Sequence, residues 1–452
     1  MTDPTDTEQT QRGARTSAFR RLSGEATWIL AGQILTAAGG LAALRILTEL
    51  LPPNVYGQLT LVLGFILLSF DFAFRPFIQA SARFRADYRT PAASATLRRE
   101  SQRFIQQSMA LISALLILAG IIFGPRAGLP AWIGVAMAAV LVSDLVRTYE
   151  TSLLNAAQRH RAMSLWRAIE AWARPLAALA ILMLLGGGVP GVLFGYAAAT
   201  LFVSLVFARA ITLEGQTTTH GERSAGPTAN DPDPAEVRRR VRTFVLPLLP
   251  VALMTWIIGV SDRYILAGIG SLELAGLYAA TYAVVSRPYI MLGAFLDTWL
   301  RPKLYDAVSS GSRAAAQQVI KAWAALAVST GLAGMLAFHI LHAPIASLLL
   351  SETYTSASNL MVFIAAGYVF EVLSQLALQI CLAYNRSRYF LIVSIGAALI
   401  TLLASIALIQ VYGIAGAAMA VPVYLGSKFV IAASFAARSI NQGLPDRSDE
   451  NQ

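Results

Sequence analysis

Three stretches of the chain share one skeleton: an acid, an arginine four residues on, and a proline directly behind it. They read DFAFRP at 71–76, EAWARP at 170–175 and DTWLRP at 297–302. The i, i+4 spacing sets acid and base on one face of a helix, where they can pair, and the proline disfavours further regular helix. Such groups can hold an anion, carry a proton, or fix a helix end at a polar surface. Asp71, Arg75, Asp297 and Arg301 close apolar segments, so they read as structural anchors whose arginines snorkel to the interface and whose prolines stop the helix. Glu170 and Arg174 lie well inside one.

Depth changes what a charge is for. Arg174 and Arg287 fall near the middle of apolar segments, each roughly 16–18 Å from an end at 1.5 Å per residue. An arginine there is disfavoured by about 2.5–3.5 kcal/mol unless it faces water or a partner. In LWRAIEAWARPLAAL, Arg167, Glu170 and Arg174 recur on one helical face. One reading is a cationic, anion-binding cavity lined by Arg167, Arg174, Arg287 and Lys428. The other is structural, with Glu170 neutralising an arginine and Lys428 snorkelling inward. Asp144 and Glu371 have no compensating charge within their own segments. They fit ion coupling, with Na+ or H+, or pairing with arginines on other helices.

Hydrolytic and nucleotide-driven chemistry finds no support. The single cysteine, Cys381, excludes an internal disulfide and a thiolate metal cage. His160, His220, His339 and His342 form no ligand-spaced cluster, so no metal site is expected. No phosphate-binding glycine loop, HExxH pair or nucleophile elbow occurs.

The elements that must carry these charges are membrane helices. The 452 residues are 56% hydrophobic and 13% charged, with a mean hydropathy of +0.59, where a soluble chain has about a quarter charged. Apolar runs predict twelve spans at 26–45, 55–74, 104–124, 130–150, 162–185, 188–209, 243–262, 274–300, 319–341, 359–382, 389–409 and 413–435, each long enough to cross a bilayer. Of the 35 Lys and Arg, 28 fall on the tails and alternate connections on one side, against three (Arg45, Arg126 and Arg263) on the other. That asymmetry places both termini in the cytosol. It also explains the net charge of +10 without a nucleic-acid partner. The polar tail 1–22 lacks the apolar core of a signal peptide. The domain reading is a cytosolic N-tail at 1–22, an N-lobe of six helices at 23–210, a cytosolic linker at 211–242, a C-lobe of six helices at 243–437 and a cytosolic C-tail at 438–452.

The two halves repeat. Asp71 and Asp297 are 226 residues apart; Asp144 and Glu371, and Arg159 and Arg386, are 227 apart. Arg45 and Arg263 are 218 apart, and Gly57 and Gly276 are 219 apart. An ordered series at near-constant offset fits a duplication with about seven residues inserted in helix 8. Six helices per half give both halves the same orientation, related by an axis along the membrane normal.

The stretch WILAGQILTAAGGLAALRILTELLPPNVYGQLTLV resembles the opening of bacterial polysaccharide transporters. These are the lipid-linked oligosaccharide flippases of the multidrug/oligosaccharidyl-lipid/polysaccharide superfamily. SDRYILAGIGSLELAGLYAATYAVV resembles the start of their second half. The likeness runs over nearly the whole chain, but its motifs are structural and name no substrate. It implies an all-α integral membrane fold with about twelve transmembrane helices in two six-helix lobes, a tandem pseudo-repeat set in a V around a central cavity. It implies a non-enzymatic role in a bacterial plasma membrane: flipping a polyprenyl (pyro)phosphate-linked oligosaccharide outward for lipopolysaccharide or exopolysaccharide biosynthesis. The implied partners are the lipid-linked saccharide, membrane lipid and other polysaccharide-assembly proteins. Arg45 and Arg263, with Asp262, then mark a gate or lobe contact at the outer ends of helices 1 and 7. A multidrug exporter of the same superfamily is the near alternative, although a mostly basic set of deep charges suits cationic drugs poorly. A membrane glycosyltransferase or polysaccharide polymerase would need larger outward loops.

Overall fold

A computed structural model describes residues 32–84, 87, 91–156, 159–215, 233–246 and 248–443. The expected N-tail at 1–22, the middle of the expected linker and the C-tail beyond 443 lie outside the described residues. All regular structure described is helical. Helix α1 covers 32–50. It is followed by α2 (Pro53–Ala73), α3 (Arg75–Phe84), α4 (Pro91–Phe123), α5 (Ile133–Ala156), α6 (His160–Leu185) and α7 (Gly188–Gly215). The second half holds α8 (Pro234–Val245), α9 (Leu248–Ile269), α10 (Leu272–Ser309), α11 (Arg313–Ile340), α12 (His342–Leu349), α13 (Met361–Ala383) and α14 (Arg388–Gln442).

Nine continuous stretches among these residues are long and apolar enough to span a bilayer. The last, α14, is two spans, because Gly413 breaks it with φ 56° and ψ −131°. With α1 and the charged α5, all twelve expected spans have a helix. Apolar side chains on the α4 surface point outward in a stripe, Leu111, Leu115, Leu118 and Ile122 being exposed. That arrangement suits lipid and would be unfavourable in water.

Three boundaries differ from expectation. The helix ending on DFAFRP bends and resumes: Phe74 leaves helical geometry, and α3 then starts with Arg75-Pro76 in its first turn. Proline is tolerated there because the first N–H groups of a helix lack acceptors anyway. Pro302, after the second copy, lies inside α10 without stopping it. The third difference is the linker over 211–242, which is helical at both ends. There α7 runs on to Gly215, and α8 begins after Asp233, whose carboxylate accepts from the Ala235 N–H at 2.9 Å. The arginine-rich run PAEVRRRVRTFV reads as polar by composition. However, Val237, Val241 and Val245 recur every four residues and are buried against Ala80, Ala93 and Leu97.

The described contacts group the chain into two compact units: Met1–Ala43 with Val142–Arg223, and Leu44–Leu141 with Ser224–Gln452. In the first unit α6 packs along α7. The backbone of α1 closes on α6 at Gly39, where a Cβ would meet Ala171 at 3.0 Å.

In the second unit α13 packs on α14, and α2 crosses α10. The α2–α10 crossing is reciprocal. A Cβ on Gly57 would stand 2.0 Å from the Leu272 carbonyl oxygen, and one on Gly276 would stand 1.9 Å from that of Pro53. Residues 53 and 272 are repeat equivalents, as are 57 and 276. The duplicated glycines therefore meet each other's helix about a local twofold.

Candidate functional site

In the first unit, three helices converge on one charged cluster. α5 supplies Asp144 and Arg147, three residues apart on one face. α6 supplies Glu170 and Arg174, and α7 supplies Tyr196 and Thr200. Glu170 is buried at 4% exposure. Its Oε1 lies 3.0 Å from Arg174 Nε and 3.6 Å from Arg147 Nε, and it accepts from the Thr200 hydroxyl at 3.1 Å. Arg174 also donates to Thr200 Oγ1 at 2.8 Å and, through Nη2, to Asp144, and it stands 5.6 Å over the Tyr196 ring. Arg147 Nη2 completes the set 3.3 Å from Asp144. Two carboxylates thus meet two guanidiniums. Arg167, one turn before Glu170, remains exposed.

The second unit holds two further groups. Lys428 on α14 donates to both carboxylate oxygens of Glu371 on α13, at 2.8 and 2.7 Å. Asp262, 1% exposed, accepts from the Tyr278 hydroxyl at 2.5 Å and from the Arg263 backbone N–H at 2.8 Å. The Arg263 guanidinium stacks 4.6 Å from the Tyr282 ring centre, and the Tyr368 hydroxyl donates to that of Tyr282 at 3.0 Å. Because α9 runs to Ile269 and not to the expected 262, Asp262 and Arg263 sit inside a helix among tyrosines, not in an outer connection. Arg287 is half-buried on α10, between Tyr282 and Tyr289 in sequence.

The remaining expected residues have structural partners. Arg45 pairs with Glu49 at 3.1 Å and donates to the carbonyls of Ser347, at 3.1 Å, and Leu350. A cation is favoured at those C-terminal carbonyls of α12. Tyr354 adds a hydrogen bond to the Leu51 carbonyl at 2.7 Å, so the end of α1 is fastened to the 342–360 segment. Asp71 pairs with Arg75 at 2.6 Å and Asp297 with Arg301 at 3.0 Å. Gln379 also donates to Asp297 at 2.7 Å. No group of three or more His, Cys, Asp or Glu among the described residues is placed to hold a metal.

Sequence reasoning missed Arg147, Thr200 and the tyrosine set. The tyrosines had a visible signal: GLYAATYAVVSRPY carries Tyr278, Tyr282 and Tyr289 at spacings of four and seven, all buried on one face of α10. Thr200 had none, because a lone threonine in an apolar helix usually bonds its own backbone.

No family model and no curated protein matches the chain. Solved structures do. A multidrug resistance MATE family transporter of the MOP superfamily, in an inward-facing conformation, superposes with a TM-score of 0.68 at 12% identity, over 92% of this chain and 98% of that one. The lipid II flippase MurJ, inward closed, gives 0.69 at 10% identity, over 92% and 87%. A point mutant of the Vibrio cholerae MATE transporter VcmN gives 0.60 at 15% identity, over 96% and 98%. The chain therefore has the fold found in transporters of the MOP superfamily.

Proposed function

We propose that this protein is a transporter that flips a polyprenyl phosphate- or pyrophosphate-linked oligosaccharide from the cytosolic to the outer leaflet of a bacterial plasma membrane. It does so by alternating access, with both termini cytosolic, in the service of surface polysaccharide assembly. The fold is compatible with this cargo and with drugs, since it occurs in a lipid II flippase and in multidrug transporters. The observation that carries the proposal is the exposure of Arg167 beside a cluster whose carboxylates, Asp144 and Glu170, are already engaged by Arg147 and Arg174. Arg167 adds positive charge that this cluster does not need for its own balance. Arg287 adds another cation on α10. The surplus at Arg167 favours a phosphate over a cationic drug.

Coupling to Na+ or H+ would fall on Asp144, Glu170 or Glu371. Each now holds a cationic side chain, so an ion would have to compete with an arginine or a lysine for it.

The test is flipping in proteoliposomes of a fluorescent saccharide on a polyprenyl pyrophosphate, read as the labelled fraction shielded from an external quencher. Arg167→Ala combined with Arg287→Ala is expected to slow flipping at least tenfold while purification behaviour is unchanged. Wild-type flipping by that double variant would defeat the proposal. So would efflux of cationic dyes by a wild-type protein that flips no saccharide.

A further inference from the structure

Beside the α2–α3 bend, the second unit contains a cavity of about 520 Å³ lined by α2, α3, α4, α8 and α9. Its wall is apolar, formed chiefly by Phe72, Phe77, Phe104, Ile112 and Leu249. Ser108 and Arg242 are the only polar side chains in it among the described residues. Arg242 stands at its edge with the guanidinium 5.9 Å from the Phe104 ring centre. Phe72, Leu111 and Leu246, also on the wall, are exposed, so the cavity opens sideways where the outer face of the helices meets lipid.

The charge pattern around the mouth is one-sided. α8 presents Arg238, Arg239, Arg240 and Arg242 outward while its valines are buried. Arg238 is taken by Glu100, at 3.0 Å, and Arg240 by Glu236, at 2.9 Å. No carboxylate among the described residues lies within ion-pair range of Arg239 or Arg242. The apolar stretch of α4 begins just past Arg103 and that of α9 at Leu248, so Arg242 stands where headgroups begin, on the arginine-rich side.

We infer that this cavity is a binding site for an anionic glycerophospholipid of the cytosolic leaflet. One acyl chain lies against the phenylalanines, and the phosphate sits on Arg242. A cavity of this size suits a small apolar ligand or a single chain, and the surrounding leaflet is made of glycerophospholipids. Arginines at headgroup level with no carboxylate partner among the described residues select the anionic ones. The inference does not depend on what is transported.

The full-length protein, stripped of lipid in detergent, is tested by native mass spectrometry against equal concentrations of phosphatidylglycerol, phosphatidylethanolamine and undecaprenyl phosphate. Wild-type protein is expected to retain phosphatidylglycerol preferentially. Arg242→Gln should reduce that retention about fivefold, the equivalent of about 1 kcal/mol, without changing retention of phosphatidylethanolamine, and Arg242→Lys should preserve it. Leu111→Trp, which fills the cavity without touching the charge, should reduce retention of every lipid. If Arg242→Gln does not purify, the lysine and tryptophan variants decide the matter. Equal retention of the two phospholipids by wild type would overturn the inference. Unaltered lipid retention by Leu111→Trp would do so too, as would displacement of phosphatidylglycerol by undecaprenyl phosphate.

Discussion

At the scale of residues, the deep charges divide into those that hold the protein together and those we propose for a ligand. Arg174 belongs with the first. Removing it by Arg174→Gln leaves Asp144 and Glu170 to share Arg147, with one carboxylate uncompensated in a buried place. Breaking a buried pair in this way costs about 3–5 kcal/mol. Arg174→Gln is therefore expected to lower the thermal midpoint in detergent sharply, whereas Glu170→Gln with Arg174→Gln should recover most of it, because Asp144 keeps Arg147 at 3.3 Å. Equal midpoints for the single variant and wild type would show that the network does not bear on stability. Loss of transport in Arg174→Ala alone would accordingly say little about substrate. Much of this cluster was legible: the spacing of Glu170 and Arg174 announced a pair, and the depth of Asp144 announced a need for one. Its closure was not, because the helix packing angle that brings Thr200 and Arg147 in is a property of side chains spread over three helices.

At the scale of elements, the repeat read from charged landmarks holds in backbone geometry. Gly186, ending α6 with φ 69° and ψ −139°, and Gly413, breaking α14 with φ 56° and ψ −131°, are 227 residues apart and share a conformation that side chains disfavour. The membrane carboxylates Asp144 and Glu371 each find a cation, but from different helices. Arg174 and Thr200 in the first half correspond to Thr401 and Lys428 in the second, at offsets of 227 and 228. Cation and threonine have exchanged helices while the ion pair survived, which is why EAWARP has no copy in sequence. Helix ends are the features least legible in the sequence. An arginine-rich helix such as α8 looks like a loop until its valines are counted, and α9 continues past an Asp-Arg pair because tyrosines on α10 and α13 receive it. The glycine crossing yields a sharper expectation. Gly57→Ala or Gly276→Ala places a methyl carbon about 2 Å from a backbone oxygen, so α2 and α10 must separate. The loss should be roughly 1–3 kcal/mol, read as a lowered midpoint in a fluorescence-detected size-exclusion melt, and an unchanged melt would mean that the crossing yields easily.

At the scale of the whole molecule, the lopsided distribution of Lys and Arg predicts an orientation, and that orientation would give a direction to the electrical work. If the cargo carries two negative charges outward, an inside-negative potential of 100 mV favours the step by about 4–5 kcal/mol. Flipping in proteoliposomes should therefore accelerate when a potassium gradient with valinomycin makes the cytosolic side negative, and slow when the sign is reversed. A rate indifferent to both would mean that compensating charge travels with the cargo. The twelve spans and the duplication could be read from the chain because hydrocarbon thickness is recorded in composition; the cargo could not, because a ligand is recognised by a few side chains whose partners lie far away in sequence. Identities of 10–15% to the structures sharing this fold show how little sequence the fold itself requires. The Gly57–Gly276 seam bears on what sequence change is possible. Two side chains in contact can change together, one growing as the other shrinks. Here each glycine faces a main-chain oxygen, which no substitution removes, so neither copy can be relieved by a change in the other. The membrane carboxylates can take their cation from different helices, as Asp144 does from Arg174 and Glu371 from Lys428, while this crossing has to remain as narrow as it is.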